Sequence, residues 1–308
     1  MRGGGKKQQQ PIQKKYSMKK HFICAIAIGL SCTLQAQNKF DVNDDGIVNS
    51  TDIVGVYNYI LTGESGETPT EKTFKVNGVS FTMKKVEAGT FNMGGTLEQQ
   101  NPQEDEIPVH TVTLTKDYYM GETEVTQELW LAVTGFGSKW TDEFGRGLNY
   151  PAYAITYDQV QTFLTNLNEL TGQEFRLPTE AEWEFAARGG NKSKRYQYSG
   201  SNSIDDVAWY FGNSVDQTHP VKTRQPNELG LYDMTGNVSE WCLDWYGSYE
   251  SSPATNPTGP EKGSKRVCRG GNWNFEAASC RTASRLYYIS TYWNYFLGFR
   301  LALTPSQE

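Results

Sequence analysis

Residues 41–52 read Asp41-Val42-Asn43-Asp44-Asp45-Gly46-Ile47-Val48-Asn49-Ser50-Thr51-Asp52. Asp41, Asn43, Asp45, Asn49 and Asp52 place side-chain oxygens at loop positions 1, 3, 5, 9 and 12, and Ile47 offers a carbonyl at position 7. Gly46 stands at the sixth position, where such loops turn sharply. Oxygen donors at this spacing are the pattern that holds calcium; Asp52 replaces the usual Glu at the last position. A second stretch, 230–241, runs Gly230-Leu231-Tyr232-Asp233-Met234-Thr235-Gly236-Asn237-Val238-Ser239-Glu240-Trp241. Asp233 and Glu240, with backbone carbonyls between them, are candidate oxygen ligands for a hard cation. The plainer reading is a turn carrying two solvated acids. Trp241 and Trp245 would anchor it on a core.

The elements that must position these residues are legible on either side. After the first loop, Ile53, Val56, Tyr57, Ile60 and Leu61 fall on one helical face, and Gly63 stops the helix. We read 37–63 as this small calcium module and 64–73 as a Gly/Glu/Thr/Pro linker. The domain at 74–308 opens with two alternating runs that turn at Asn77-Gly78, a hairpin signal. Residues 86–94 predict a strand running into a turn, and 110–114 alternate again. Thr126 caps a helix over 127–134. Thr156 caps another, with Val160, Phe163, Leu164 and Leu167 on one face and Gly172 at its end. Thr179 and Glu182 form a capping box for a third, ended by Gly189. Beyond it the chain reads as short strands and turns.

Composition narrows the class. The chain has 308 residues, 13% aromatic, with thirty Gly, which suits a loop-rich fold held by aromatic packing. Met18-Lys19-Lys20-His21, the apolar run that follows, and Gln35-Ala36-Gln37 read as a secretory signal within 1–36, with residues 1–17 an extended start. Gly29-Leu30-Ser31-Cys32 approximates a lipobox, with glycine where an aliphatic residue is expected; lipidation of Cys32 would tie the chain to a membrane. The first 36 residues hold seven of the 29 basic side chains and no acid, so the rest carries 22 basic against 35 acidic, a charge of −13. That excludes nucleic acid as a partner, since phosphate contacts need a basic face. The signal would place the protein outside the cytoplasm, where a disulfide is permitted. Cys242, Cys268 and Cys280 remain, so at most one disulfide forms.

Two resemblances follow from these residues. The stretch from Asp41 to about Leu61 resembles one repeat of a type I dockerin, a calcium-binding module that docks onto cohesins in polysaccharide-degrading assemblies. Only one repeat is found where dockerins have two. Farther on, six fragments occur in order: Met93-Gly94; Glu122-Thr123-Glu124-Val125-Thr126; Arg176-Leu177-Pro178-Thr179-Glu180-Ala181-Glu182-Trp183-Glu184; the stretch at 230–241; Arg266-Val267-Cys268-Arg269-Gly270-Gly271-Asn272-Trp273; and Gly298-Phe299-Arg300. Together they resemble the formylglycine-generating enzyme, or sulfatase-modifying factor, family over about 79–303. The resemblance implies an α+β, C-type-lectin-like fold with little regular structure, preceded here by the EF-hand-like loop and helix. It also implies a calcium loop in which Asp233 and Glu240 give side chains and Gly236 and Val238 give carbonyls. The family's second calcium site would fall near 209–219, where no ligand set is evident.

Active members of that family oxidise a substrate cysteine to formylglycine with copper held by two cysteines. Thiolates suit Cu(I) because both are soft. Between Gly271 and Gly298 this chain has only Cys280. Counted forward from Gly271, Cys280 falls on the second family cysteine and Phe275 on the first; counted backward from Arg300 it matches neither. Cys280 is therefore read either as the surviving thiolate of an oxidase or as a small buried hydrophobe. No nucleophile elbow, phosphate loop or zinc pair is present. Residues 286–296 are dense in Tyr, Ile, Ser and Thr, the composition of adaptable binding surfaces. We read Phe275, Tyr287, Tyr288, Tyr292, Trp293, Tyr295 and Arg300 as a surface for a protein or glycan ligand; the alternative is a strand packed into the core. Three functions follow: a binding domain, a formylglycine-generating oxidase, or an accessory subunit that meets cohesin. The segment also resembles the variable C-terminal region of lectin-fold proteins diversified by retroelements. That resemblance predicts a near-identical template repeat and a reverse-transcriptase gene beside this one. Sequencing the flanking DNA checks it, and their absence removes the idea.

Overall fold

The computed structural model describes residues 69–305. The expected signal, Cys32, the loop at 41–52 and its helix lie outside the described residues. In chain order the strands are β1 (Glu71–Val76), β2 (Val79–Val86), β3 (Gly89–Met93), β4 (His110–Leu114), β5 (Tyr118–Gly121), β6 (Phe175–Arg176), β7 (Ser239–Trp245), β8 (Ala254–Thr255), β9 (Arg266–Arg269), β10 (Arg285–Tyr288), β11 (Leu297–Gly298) and β12 (Ala302–Leu303). The helices are α1 (Gln127–Thr134), α2 (Tyr157–Thr171), α3 (Glu180–Ala187) and the single turn α4 (Ile204–Val207).

The hairpin forms as its Asn77-Gly78 turn predicts: Val76 faces Val79, and both turn residues take positive φ. β1 begins at Glu71, within the stretch read as linker. Three sheets result, in the orders β1-β2-β5-β12-β6, β10-β9-β7-β11 and β3-β4-β8. The C-terminal β12 lies between β5 and β6.

The three longer helices start where their caps predict. Thr126 Oγ1 accepts from the Leu129 N–H at 3.2 Å. Thr156 with Gln159, and Thr179 with Glu182, form complete capping boxes. On α2, Val160, Phe163, Leu164 and Leu167 are buried as their spacing requires. Phe163 stacks on Trp130 of α1 at 5.2 Å, and both rings meet Phe299 edge-on. A second core gathers Met120, Trp183, Phe185, Met234 and Cys242 around α3.

What ties these pieces together is a set of buried ion pairs. Glu180 takes Arg285 through Nε at 2.7 Å and Nη2 at 2.8 Å, and also accepts from Arg269 Nη1 at 3.2 Å. Glu184 takes Arg269 Nη2 at 2.5 Å and Arg188 Nε at 2.9 Å. Arg281 grips Glu106 through two bonds, of 2.7 and 2.6 Å. Glu106, Glu184, Arg269 and Arg281 are all enclosed. Removing one partner leaves the other charge buried alone. Glu184→Gln is therefore expected to cost about 3–5 kcal/mol of unfolding free energy, read as a lower urea midpoint with an unchanged slope. A loss within the ordinary surface range would show that the pair is dispensable.

Asp244 gives a second test. Its Oδ2 accepts from the Glu180 N–H at 2.9 Å, at the head of α3. Burial, then the neighbouring Glu180 charge, raises its pKa to about 8. The folded protein thus holds this proton more tightly than the unfolded chain. Its contribution to stability is present at acid pH and falls as pH rises from about 4 towards about 8. Asp244→Asn keeps the acceptor and loses the charge. It is expected to flatten that fall, gaining stability at pH 8 and none at pH 4 in urea titrations.

Candidate functional site

The chemistry expected of the thiols depends on what surrounds them. Cys280 closes a 3-10 turn, Ala277–Cys280, and is fully buried. Its Sγ lies 3.9 Å from Asn272 O and 4.0 Å from Phe275 O. Gly271, at φ +68°, passes over it so closely that a Cβ there would stand 2.5 Å from the sulfur. Burial pushes the Cys280 thiol up to about 12. The thiolate is the form that attacks or ligates, so this sulfur sits as a small apolar group. Phe275, at the other candidate copper position, packs on Phe296 with centroids 5.8 Å apart.

Cys242 and Cys268 are also free and buried, and burial raises both thiols well above the ordinary range. Cys268 faces Trp241 across the β7–β9 ladder. Side chains alternate along a strand, so Cys242 points to the other face of the sheet. The two thiols accordingly lie in separate cores. The residues present do not fit copper.

The loop before β7 is held more tightly than the sequence suggests. Glu240 accepts from Arg300 Nε and Nη2 at 2.7 Å each, and from Trp183 Nε1 at 2.7 Å. All three side chains are buried. Glu124 accepts from the Val238 N–H at 3.1 Å and from Asn237 Nδ2 at 3.0 Å. Asp233 Oδ2 accepts from the Lys222 N–H at 2.9 Å, while its Oδ1 is buried without a hydrogen-bond partner. Burial first, then the Asp233 and Glu240 charges, raises Glu124 well above the carboxylate range; Asp233 is raised to about 6, chiefly by burial. Burial works against the Arg300 charge, but Glu240 outweighs it and its pKa rises.

Asp233 fits a cation ligand through its unpartnered oxygen. Glu240 does not fit one as it stands, because a guanidinium already neutralises it and three donors already bond it. Gly236 and Val238 have only backbone carbonyls to offer. Among the described residues no group of three His, Cys, Asp or Glu side chains stands where it could hold a metal. At 209–219, Trp209 stacks on His219 at 3.6 Å with Arg224 on the indole at 3.7 Å. That is a packed stack without carboxylates.

The expected ligand surface divides. Arg300 is removed from it: fully buried, it belongs to the Glu240 pair. Tyr288, Tyr292, Tyr295 and Phe296 are partly buried against the main core. Tyr288 stacks on Tyr292 at 4.5 Å, and Tyr295 stacks on Phe144 at 4.3 Å. Tyr287, Ile289 and Trp293 remain open, at 38%, 51% and 36% exposure. Tyr287 and Tyr288 are consecutive in β10 and so leave on opposite faces; Tyr287 meets Tyr246 instead, at 4.0 Å. Two lysines that the sequence reading did not single out complete this face. Lys139 lies over Trp293 at 3.4 Å and Lys265 over Tyr287 at 4.3 Å. Phe144, also unforeseen, comes from the irregular chain after α1. These residues carry no local motif; only the period-two pattern at β10 hinted at which side chains would face outward.

Few helices, short curled sheets and a core of aromatic rings and ion pairs define an α+β domain of the C-type-lectin-like kind. The sulfatase-modifying factor enzyme 1-like domain matches residues 70–305, and the chain belongs to that family. A dockerin type I domain matches residues 39–78. Residues 71–76 fall in both matches, and the structure gives them to β1. The formylglycine-generating enzyme of Streptomyces coelicolor is 30% identical over 284 residues, covering 71% of this chain and 88% of that protein. The chaperone protein LppX of Paenibacillus barcinonensis is 37% identical over 209 residues, 53% of this chain and 71% of that protein. Among solved structures, Treponema denticola variable protein 1 superposes with a TM-score of 0.69 at 34% identity, covering 77% of this chain and all of that one.

Proposed function

We propose that this chain is an exported binding protein on a sulfatase-modifying-factor scaffold, and that it holds a protein or glycan partner on the face around residues 287–293. The observation that carries this reading is the pairing of Cys280 with Phe275. At the two positions that counting forward from Gly271 gives to the copper thiolates, this chain has one enclosed thiol and one ring packed on Phe296. The open Tyr287, Ile289 and Trp293 support a recognition role, since exposed aromatics at this density mark interaction sites. Likeness to a protein named a variable protein agrees with a binding segment that tolerates change.

In this reading calcium belongs to the loop of Asp41, Asn43, Asp45, Ile47, Asn49 and Asp52, the part that matches a dockerin. That module would attach the protein to a cohesin-bearing, polysaccharide-degrading assembly. Cys32, if lipidated, would attach it to a membrane instead. The acidic mature chain disfavours nucleic acid.

The oxidase reading draws support from identity to formylglycine-generating enzymes. Oxygen uptake separates the two. With Cu(I), a reductant and a peptide bearing a sulfatase-type cysteine, the protein is expected to consume no oxygen above the copper blank and to leave the peptide thiol unchanged by mass. Formation of the aldehyde would end the binding-only reading.

A further inference from the structure

The side chains at 286–294 alternate between packed and open. The even-numbered positions are half-buried, whereas Tyr287, Ile289, Thr291 and Trp293 stand in solvent. The packed positions are occupied with structure. Tyr288 and Tyr292 stack on each other. Ser290 O accepts from the Tyr157 N–H at 3.0 Å, and Asn294 O from the Ala154 N–H at 3.1 Å. The open positions also give backbone bonds, such as Ile289 O accepting from the Tyr292 N–H at 2.9 Å, but their side chains reach solvent. Two ammonium groups lie on their rings, Lys139 over Trp293 at 3.4 Å and Lys265 over Tyr287 at 4.3 Å.

Charge points to the partner. Residues 277–300 contain no Asp or Glu, in a chain of net charge −6. Acids stand farther out: Asp158 follows the Tyr157 that bonds Ser290, Asp105 accepts from the Tyr246 hydroxyl, and Asp142 and Glu143 precede the Phe144 that stacks on Tyr295; the two lysines are the charges that lie on the open rings themselves. A sugar platform needs an open aromatic face. Here an ammonium covers one face of each terminal ring, and Tyr295 and Tyr246 press on the same rings at 5.8 and 4.0 Å. What stays available is ring edge, cation and the apolar Ile289 between them. A cation held on an aromatic ring keeps its remaining N–H donors for an anion.

We infer that Tyr287, Ile289, Thr291 and Trp293 recognise an acidic polypeptide segment, with an apolar side chain set on Ile289 and flanking Asp or Glu meeting Lys139 and Lys265. This rests on the binding reading above and names its partner class. Opposite charges at the rim would set encounter and specificity, and the apolar centre would set affinity.

Random peptides displayed on phage and selected on the immobilised full-length protein test it. The expected consensus is an apolar residue flanked by Asp or Glu. Synthetic peptides of that consensus are expected to lose about tenfold or more in affinity with Ile289→Ala or Trp293→Ala. The double variant K139E/K265E should lose the acidic peptides and select basic flanks. The Asn274→Ala variant, exposed outside the open set, should bind as wild type. Circular dichroism of each variant separates lost contact from lost fold. No enrichment, a neutral or basic consensus on the wild-type protein, or binding indifferent to these substitutions overturns the inference. A hyaluronan oligosaccharide retained through the same residues, with no peptide enriched, overturns the polypeptide assignment yet leaves a binding face in place. Aldehyde formation in the oxygen assay, in contrast, removes the reading on which it rests.

Discussion

Buried arginine–carboxylate pairing is the constraint on which this domain depends. With short strands and long irregular connections, the ladders of β12 with β5 and β6, of β11 with β7 and of β4 with β8, which join distant parts of the chain, are only two residue pairs long. Arg269 instead joins β9 to Glu184 of α3, Arg300 joins the chain's end to Glu240 of β7, and Arg281 joins the turn after Cys280 to Glu106. Each link spans at least sixty residues of sequence. Guanidinium suits the task because its planar fork meets a carboxylate through two parallel bonds and remains charged when buried. The cost of desolvating so many charges is offset only where geometry and further hydrogen bonds are complete. Here carbonyls supply part of them: Ala283 O and Thr282 O accept from the two terminal nitrogens of Arg269, while its Nε is buried without a partner.

This accounts for the most distinctive stretch of the sequence. In the stretch 176–184, Arg176 pairs with Glu182, Thr179 and Glu182 close the capping box, Glu180 and Glu184 hold arginines, and Trp183 donates to Glu240. Every polar side chain there is engaged in holding the fold. A scaffold fixed by such pairs does not depend on Phe275 or Cys280, since neither takes part in any of them. Family membership therefore speaks to the frame, and the activity must be argued from the few positions the frame leaves free.

The frame was largely legible from local signals. Caps at Thr126, Thr156 and Thr179, and the Asn77-Gly78 turn, depend on neighbours within a few residues, and the structure places all four as read. Arg300 was misjudged as a surface residue because an isolated arginine is usually exposed; its partner Glu240 lies sixty residues earlier and nothing near Arg300 announces it. Glu240 was likewise read as a free ligand for calcium when two donors from elsewhere had already claimed it. Lys139 and Phe144 were missed because they come from a segment with neither periodicity nor a motif. Long-range pairing, unlike capping, leaves no trace within a window of sequence.

The same division accounts for the character of the open face. A residue in the lattice cannot change without stranding its partner's charge, and a half-buried residue at 286–296 cannot change without losing a stack or crowding a backbone bond. Ile289 and Thr291 are subject to neither limit, and Tyr287 and Trp293 hold only contacts at the surface, with Tyr246 and Tyr295. They project from a backbone held by the β9–β10 ladder, by the bond from Tyr157 to Ser290 and by the bond from Ala154 to Asn294. Rigid backbone beneath replaceable side chains is the physical requirement for a surface that can be retuned to new partners, because little ordering entropy is then lost on binding. Such a surface needs neither a deep pocket nor a catalytic group, only a frame that does not depend on it.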